Sequence, residues 1–142
     1  MMDDLDFFPM SIGKLNRQMQ KIFAEELKPC DLSSAHALYL IVLFENEGLT
    51  LKELTENVGV DKANTTRVVT DLKAKGFIYT DRKEDGSRKY KVFLTEEGKK
   101  AAEIVRSAIK KMLDNMFSIL SDAERAQYIA ILKKIIINIT NF

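Results

Sequence analysis

Residues 50–76 read TLKELTENVGVDKANTTRVVTDLKAKG, and their punctuation decides the fold. Thr50 followed by Glu53 is a capping box, so LKELTENV forms a short helix that Gly59 stops. Asp61 then caps a second helix, ended by Gly76. Two helices joined tightly through Gly59 and Val60 make a helix-turn-helix. At about 100° per residue, Thr65, Val68, Val69 and Leu72 share one stripe of the second helix, which is assigned to the core. Ala63, Arg67, Thr70 and Ala74 fall opposite, flanked by Asn64, Thr66 and Asp71.

Downstream the period changes from helix to strand. Phe77-Ile78-Tyr79-Thr80 is aromatic and branched, and Tyr90, Val92 and Leu94 alternate with Lys89, Lys91 and Phe93. Between them DRKEDGSR carries Asp85-Gly86, a strong hairpin signal because both residues take positive φ cheaply. A hairpin placed directly after a helix-turn-helix is a wing. Thr95 starts a long helix to about residue 120, and Ser121 with Glu124 boxes the start of a last one. Upstream, Pro9 and Ser11 start a helix that ends before Pro29. Another runs over 33–47, from an N-cap at Ser33 to a stop at Gly48. The expected fold is mainly α with a small β-hairpin. A winged helix-turn-helix domain spans 33–95, and N- and C-terminal dimerisation helices span 1–32 and 96–142.

Composition narrows the function classes. The chain of 142 residues is 46% apolar and 30% charged, enough for one domain with a real core. Its longest apolar run, AHALYLIVLF, is far short of the roughly 20 residues a membrane span needs. One cysteine suits a reducing compartment, and the acidic start MMDDLDFFP lacks the basic region of a signal peptide. A cytoplasmic location is therefore expected. The single histidine, the single cysteine and the absence of a glycine-rich phosphate loop argue against an enzyme.

The net charge of +1 hides an asymmetry: residues 1–60 carry −5, residues 61–91 carry +4 and residues 92–142 carry +2. Basic side chains thus gather where the helix-turn-helix meets the hairpin, the footprint of a polyanionic partner. Arg67 can grip a guanine edge or a phosphate, Asn64 can pair with adenine, and Thr66 and Thr70 suit phosphates or thymine methyls. These four are the candidates for the major groove of double-stranded DNA. Lys62 and Lys73 are candidates for phosphates, and Arg82, Lys83 and Arg88 for the wing. Asp71 would repel a phosphate, so its end of the face is the weaker one.

The last helix makes a different demand. Isoleucines at 129, 131, 135, 136, 137 and 139 cover more than one face. A lone terminal helix cannot bury them all, and large exposed apolar patches mark interfaces. Phe7, Phe8, Ile129, Leu132, Ile135, Ile136 and Ile139 are the candidates for a homodimer interface.

GLTLKELTENVGVDKANTTRVVTDLKAKGFIYTDR followed by SRKYKVFLTEEGKKA resembles the MarR family of winged helix-turn-helix transcription regulators. The motifs that carry the resemblance are Gly59-Val60, Asp61-Lys62, Thr66-Arg67, Leu72 to Gly76, and Leu94, Thr95 and Gly98. One departure stands out. The family usually has Asp-x-Arg in the wing, whereas Asp85-Gly86-Ser87-Arg88 is one residue longer and displaces the aspartate that would brace Arg88. The resemblance implies a homodimer bound to a pseudo-palindromic operator, usually a repressor relieved by a small-molecule effector or an oxidant, with no cofactor required. Three alternatives use the same fold: a redox regulator built on Cys30, a metal-responsive one using Cys30 and His36 beside Glu25 and Glu26, and a protein–protein adaptor. The expected metal set is none, because a closed site needs about four ligands and the chain offers one histidine.

Overall fold

A computed structural model describes residues 2–83 and 89–141. The elements run α1 (Asp4–Leu27), α2 (Ser34–Glu45), β1 (Leu49–Thr50), α3 (Leu51–Val58), α4 (Lys62–Ala74), β2 (Ile78–Thr80), β3 (Lys91–Leu94), α5 (Glu96–Met116) and α6 (Asp122–Thr140), with a 3-10 turn at Lys28–Cys30 after α1. They divide into two compact units, Met1–Ile109 and Lys110–Phe142. Among the described residues no helix is long and apolar enough to cross a membrane.

In the first unit, α2, α3 and α4 pack with the sheet around one core that includes Leu27, Tyr39, Leu40, Leu54, Leu72, Val92 and Val105. The N-caps of α3 and α4 form, but the Thr50–Glu53 box is only half made, since the Glu53 carboxylate accepts from the Thr50 hydroxyl at 3.1 Å and not from its amide. Thr50 accepts from the Glu53 amide at 3.1 Å and Asp61 from the Asn64 amide at 2.7 Å. Gly59 and Gly76 both sit at φ +79°, where an L side chain would be strained.

The sheet has three antiparallel strands, not the two of a simple hairpin. β1 pairs with β3 through Leu49–Val92 and Thr50–Lys91, and β3 pairs with β2 through Ile78–Leu94, Tyr79–Phe93 and Thr80–Val92. Tyr79 and Phe93 stack on one face with centroids 5.3 Å apart. The Phe93 ring lies against Gly48, where a Cβ would come within 2.5 Å of it and φ is +88°. Gly48 thus belongs to the turn into β1. The helix before it stops two residues sooner than expected, at Glu45 with Asn46 as its cap.

The Leu94-Thr95-x-x-Gly98 motif has a physical reading. The Thr95 hydroxyl donates to the Gly76 carbonyl at 2.7 Å and accepts from the Gly98 amide at 3.0 Å. The Thr95 amide donates to the Phe77 carbonyl at 3.0 Å. A Cβ at Gly98 would lie 1.9 Å from that same carbonyl oxygen. These contacts lock the end of α4, the wing and the start of α5 together.

Helix α1 begins earlier than Pro9. Asp3 caps it by accepting from the Asp6 amide at 3.1 Å, and Asp4 and Asp6 suit the positive end of the helix dipole. Pro9 therefore lies inside the second turn, where its missing N–H costs one bond to an exposed stretch of backbone. The Ser11 hydroxyl bonds the Phe8 carbonyl at 2.7 Å rather than capping. Only Leu27 is buried in this helix, while Leu5, Phe7, Phe8, Met10, Ile12 and Leu15 are exposed.

In the second unit, α5 ends at Met116, four residues before the expected stop. Phe117 meets Tyr128 edge-on with centroids 5.8 Å apart, and the Arg125 guanidinium lies over Phe117 at 5.3 Å. Asp114 takes Lys110 at 3.0 Å and Arg125 at 3.2 Å, which hold its carboxyl below the usual carboxylate range. Ser121 and Glu124 complete both halves of the capping box that starts α6.

Candidate nucleic-acid interface

Helix α4 divides as its sequence period demands. Thr65, Val68, Val69 and Leu72 are its buried residues. Lys62, Thr66, Arg67, Thr70 and Lys73 are exposed, and Asn64 is half-buried. The Thr66 hydroxyl donates to the Lys62 carbonyl at 3.0 Å and that of Thr70 to the Thr66 carbonyl at 2.8 Å. Each hydroxyl proton is thereby used inside the helix, leaving lone pairs and the methyl group for an outside partner.

Arg67 is not a loose side chain. Its Nη2 donates to Oδ1 of Asn64, one turn earlier. The Asn64 Nδ2 lies 3.4 Å from the hydroxyl of Tyr39, which is 1% exposed. That hydroxyl sits 3.1 Å from Thr65 Oγ1, which in turn contacts Thr55 Oγ1 at 2.8 Å and the Asp61 carbonyl at 3.2 Å. A polar cluster of Tyr39, Thr55 and Thr65 thus ties α2, α3 and α4 together beneath the exposed face. Sequence reasoning missed it. Thr65 falls on the core stripe, and a threonine there is the one available signal, since a buried hydroxyl requires a partner.

The far end of the same face carries an acid and side chains engaged within the protein. Asp71 lies 3.5 Å from His36 Nε2. The other ring nitrogen of His36, Nδ1, accepts from the Ser33 amide at 3.2 Å and completes the capping box of α2. Lys75 is committed to Asp31, at 2.9 Å from its carboxylate and 3.2 Å from its carbonyl, which holds the Asp31 carboxyl below its ordinary value.

The wing residues are divided by what the structure describes. The Arg82 guanidinium lies over the Tyr90 ring at 5.5 Å, and Lys83 is exposed. Arg88 and the Asp85-Gly86 turn lie outside the described residues. Asp81 accepts from the Lys91 amide at 2.6 Å, fixing the root of the wing. A cleft of about 910 Å³ opens among α3, the start of α4 and the wing. Lys52, Lys62, Thr66, Arg82, Lys89 and Tyr90 line it, and Glu56 is the one acid among the described residues that do. Lys52 and Lys89 were not among the sequence candidates, because only the fold brings them beside Lys62 and Arg82.

The groups invoked for sensing are placed as follows. Cys30 is half-buried in the 3-10 turn and packs against the core. Among the described residues no three of His, Cys, Asp and Glu gather where they could hold a metal ion.

The comparisons with known proteins point one way. A family model described as MarR family matches residues 32–90. The HTH-type transcriptional regulator YybA of Bacillus subtilis (strain 168) is 30% identical over 128 residues, 90% of this chain and 85% of that relative. The crystal structure of a MarR transcriptional regulator from Methanosarcina mazei Go1 superposes with a TM-score of 0.86 at 26% identity, covering 95% of this chain and 97% of that one. The S. aureus MepR-DNA complex has a TM-score of 0.83 at 21% identity, over 92% of this chain and 97% of that one, which shows likeness of fold alone.

Proposed function

From the premise that this chain belongs to the MarR family of DNA-binding transcriptional regulators, and not to a family of enzymes, we propose that it works as a homodimeric repressor on a pseudo-palindromic operator. The observation that carries the reading is the exposed face of α4, with Arg67 held by Asn64 beside a cleft lined with Lys52, Lys62, Arg82 and Lys89. On the major-groove face Thr66, Arg67 and Thr70 meet the DNA with Asn64 holding Arg67, and Lys62 and Lys73 take phosphates. The wing, through Arg82, Lys83 and Arg88, reaches the neighbouring minor groove.

The dimer has its own support. No residue of α6 is buried, although Ile131, Ile135, Ile136, Ile137 and Ile139 are 39–61% exposed. Phe7 and Phe8 on α1 are 59% and 57% exposed. A second copy covering these surfaces would set two recognition helices about 34 Å apart, one turn of DNA. Release by a small-molecule effector belongs to the same proposal and needs no resident cofactor.

Selection of bound sequences from a random duplex pool, at two salt concentrations and with Arg67→Ala as control, tests it. The expected product is a pseudo-palindrome with half-sites one turn apart. Arg67→Ala should cost about 1–3 kcal/mol on that duplex and relax one base position in each half-site. Recovery of nothing above a salt-sensitive background, unchanged in Arg67→Ala, would overturn the reading in favour of an adaptor.

A further inference from the structure

We propose that Tyr39, buried in α2, is a positioning residue for sequence recognition, acting through Asn64 to hold the guanidinium of Arg67 in its reading pose. The inference rests on the reading of α4 as the helix that enters the major groove.

The chemistry of the three groups fixes the direction of the relay. Arginine has donors only, so the amide end of Asn64 that meets Arg67 is the carbonyl Oδ1. The NH₂ end is then turned inward, toward the Tyr39 hydroxyl at 3.4 Å. The Thr65 hydroxyl donates to the Asp61 carbonyl at 3.2 Å, which leaves the Tyr39 hydroxyl to donate in the 3.1 Å bond between the two. Tyr39 is 1% exposed and Thr65 fully buried, so the inner end of the relay is fixed by packing and cannot rotate into solvent.

The consequence concerns the cost of binding. An exposed arginine on a helix samples many rotamers, and a base contact made in a single pose requires all but one to be given up. Anchoring Asn64 from below removes part of that cost before DNA arrives. It also assigns Asn64 a role different from a direct adenine contact, since both ends of its amide are engaged within the protein. The selectivity of Arg67 then depends on a hydroxyl that never touches DNA.

The test uses the full chain, the duplex recovered by selection, and a set of duplexes each carrying one substituted base pair. Tyr39→Phe keeps the ring and removes only the hydroxyl. It should lower discrimination about fivefold, the worth of one hydrogen bond, at the base pair that Arg67→Ala also relaxes. Discrimination at every other position, and affinity for an unrelated duplex, should stay as in the parent. Asn64→Ala, at a half-buried surface position, should reproduce the same single-position loss. The double variant Tyr39→Phe with Arg67→Ala should match Arg67→Ala alone, because nothing remains to be positioned.

Three results would overturn the relay while leaving the α4 reading in place: unchanged discrimination in Tyr39→Phe, a uniform loss at all positions, or losses that multiply in the double variant. Full discrimination in Arg67→Ala itself would overturn both, and so separates the two failures.

Discussion

Helix α6 carries far more apolar side chain than α4, and the two dispose of it in opposite ways. In α4 the apolar residues keep to one stripe, and the fold closes over that stripe: Leu72 is 0% exposed, Val68 4% and Val69 5%. In α6 the isoleucines spread round the helix, and Ile136, Ile137 and Ile139 remain 54%, 61% and 55% exposed. One stripe can be buried by one neighbouring surface. Coverage beyond a stripe needs burial from several sides. The first helix is therefore completed within its own unit, and the second is written for a surface supplied from outside, which we propose is a second copy.

Substitution in the two helices should separate these cases. Leu72→Ala leaves a cavity in the core and should lower unfolding free energy by about 3 kcal/mol, read from urea titration with the same loss at every protein concentration. An unchanged midpoint would mean that α4 is not held by its stripe. Ile136→Ala should behave otherwise. Only about half of that side chain is left to bury, so the expected loss is about 1 kcal/mol per copy. It should be visible by sedimentation equilibrium as weaker self-association, with helix content retained. The melting temperature should also depend on concentration in the parent protein, as mass action requires of a dimer. A concentration-independent loss as large as that of Leu72→Ala would place Ile136 in its own chain's core and break the contrast.

The same contrast explains what could be read in advance. Thr50, Asp61 and Ser121 announced their helices because capping is local chemistry, settled within three residues. The α4 stripe was legible because its period is unbroken over two turns. β1 was not, since two residues show no period and become a strand only by meeting Val92 and Lys91 across the sheet. The start of α1 was misplaced because Pro9 looks like a first-turn residue, while Asp3 offers the stronger cap further out. His36 as the reciprocal half of the α2 box, and Tyr39 as the anchor beneath Asn64, depend on contacts that no spacing rule contains. The cleft lysines were hidden for the same reason: Lys52 and Lys89 are far apart in sequence and line one cleft only in the fold.

The smallest expected effect sharpens the account of α6, because it isolates the part of that helix which is self-sufficient. Glu124 accepts from the Ser121 amide at 3.0 Å, and that bond, followed by the one from the Ser121 hydroxyl, holds its carboxyl below the ordinary value of 4.5. A carboxyl whose folded-state value is lowered binds protons less readily in the folded chain than in the unfolded one. Its contribution is therefore complete above 4.5 and is lost as pH falls through the lowered folded value. Glu124→Gln keeps an acceptor but cannot ionise. The parent should melt slightly higher than Glu124→Gln from pH 8 down to about pH 5, and the gap should close at lower pH. Asp114 and Asp31, whose carboxyls are also held low by cationic partners, titrate in both proteins and cancel in the difference. A gap that persisted undiminished at about pH 3 would show that the cap works through geometry and not charge. The start of α6 would then owe its stability to the hydrogen bonds alone, with the helix dipole contributing nothing.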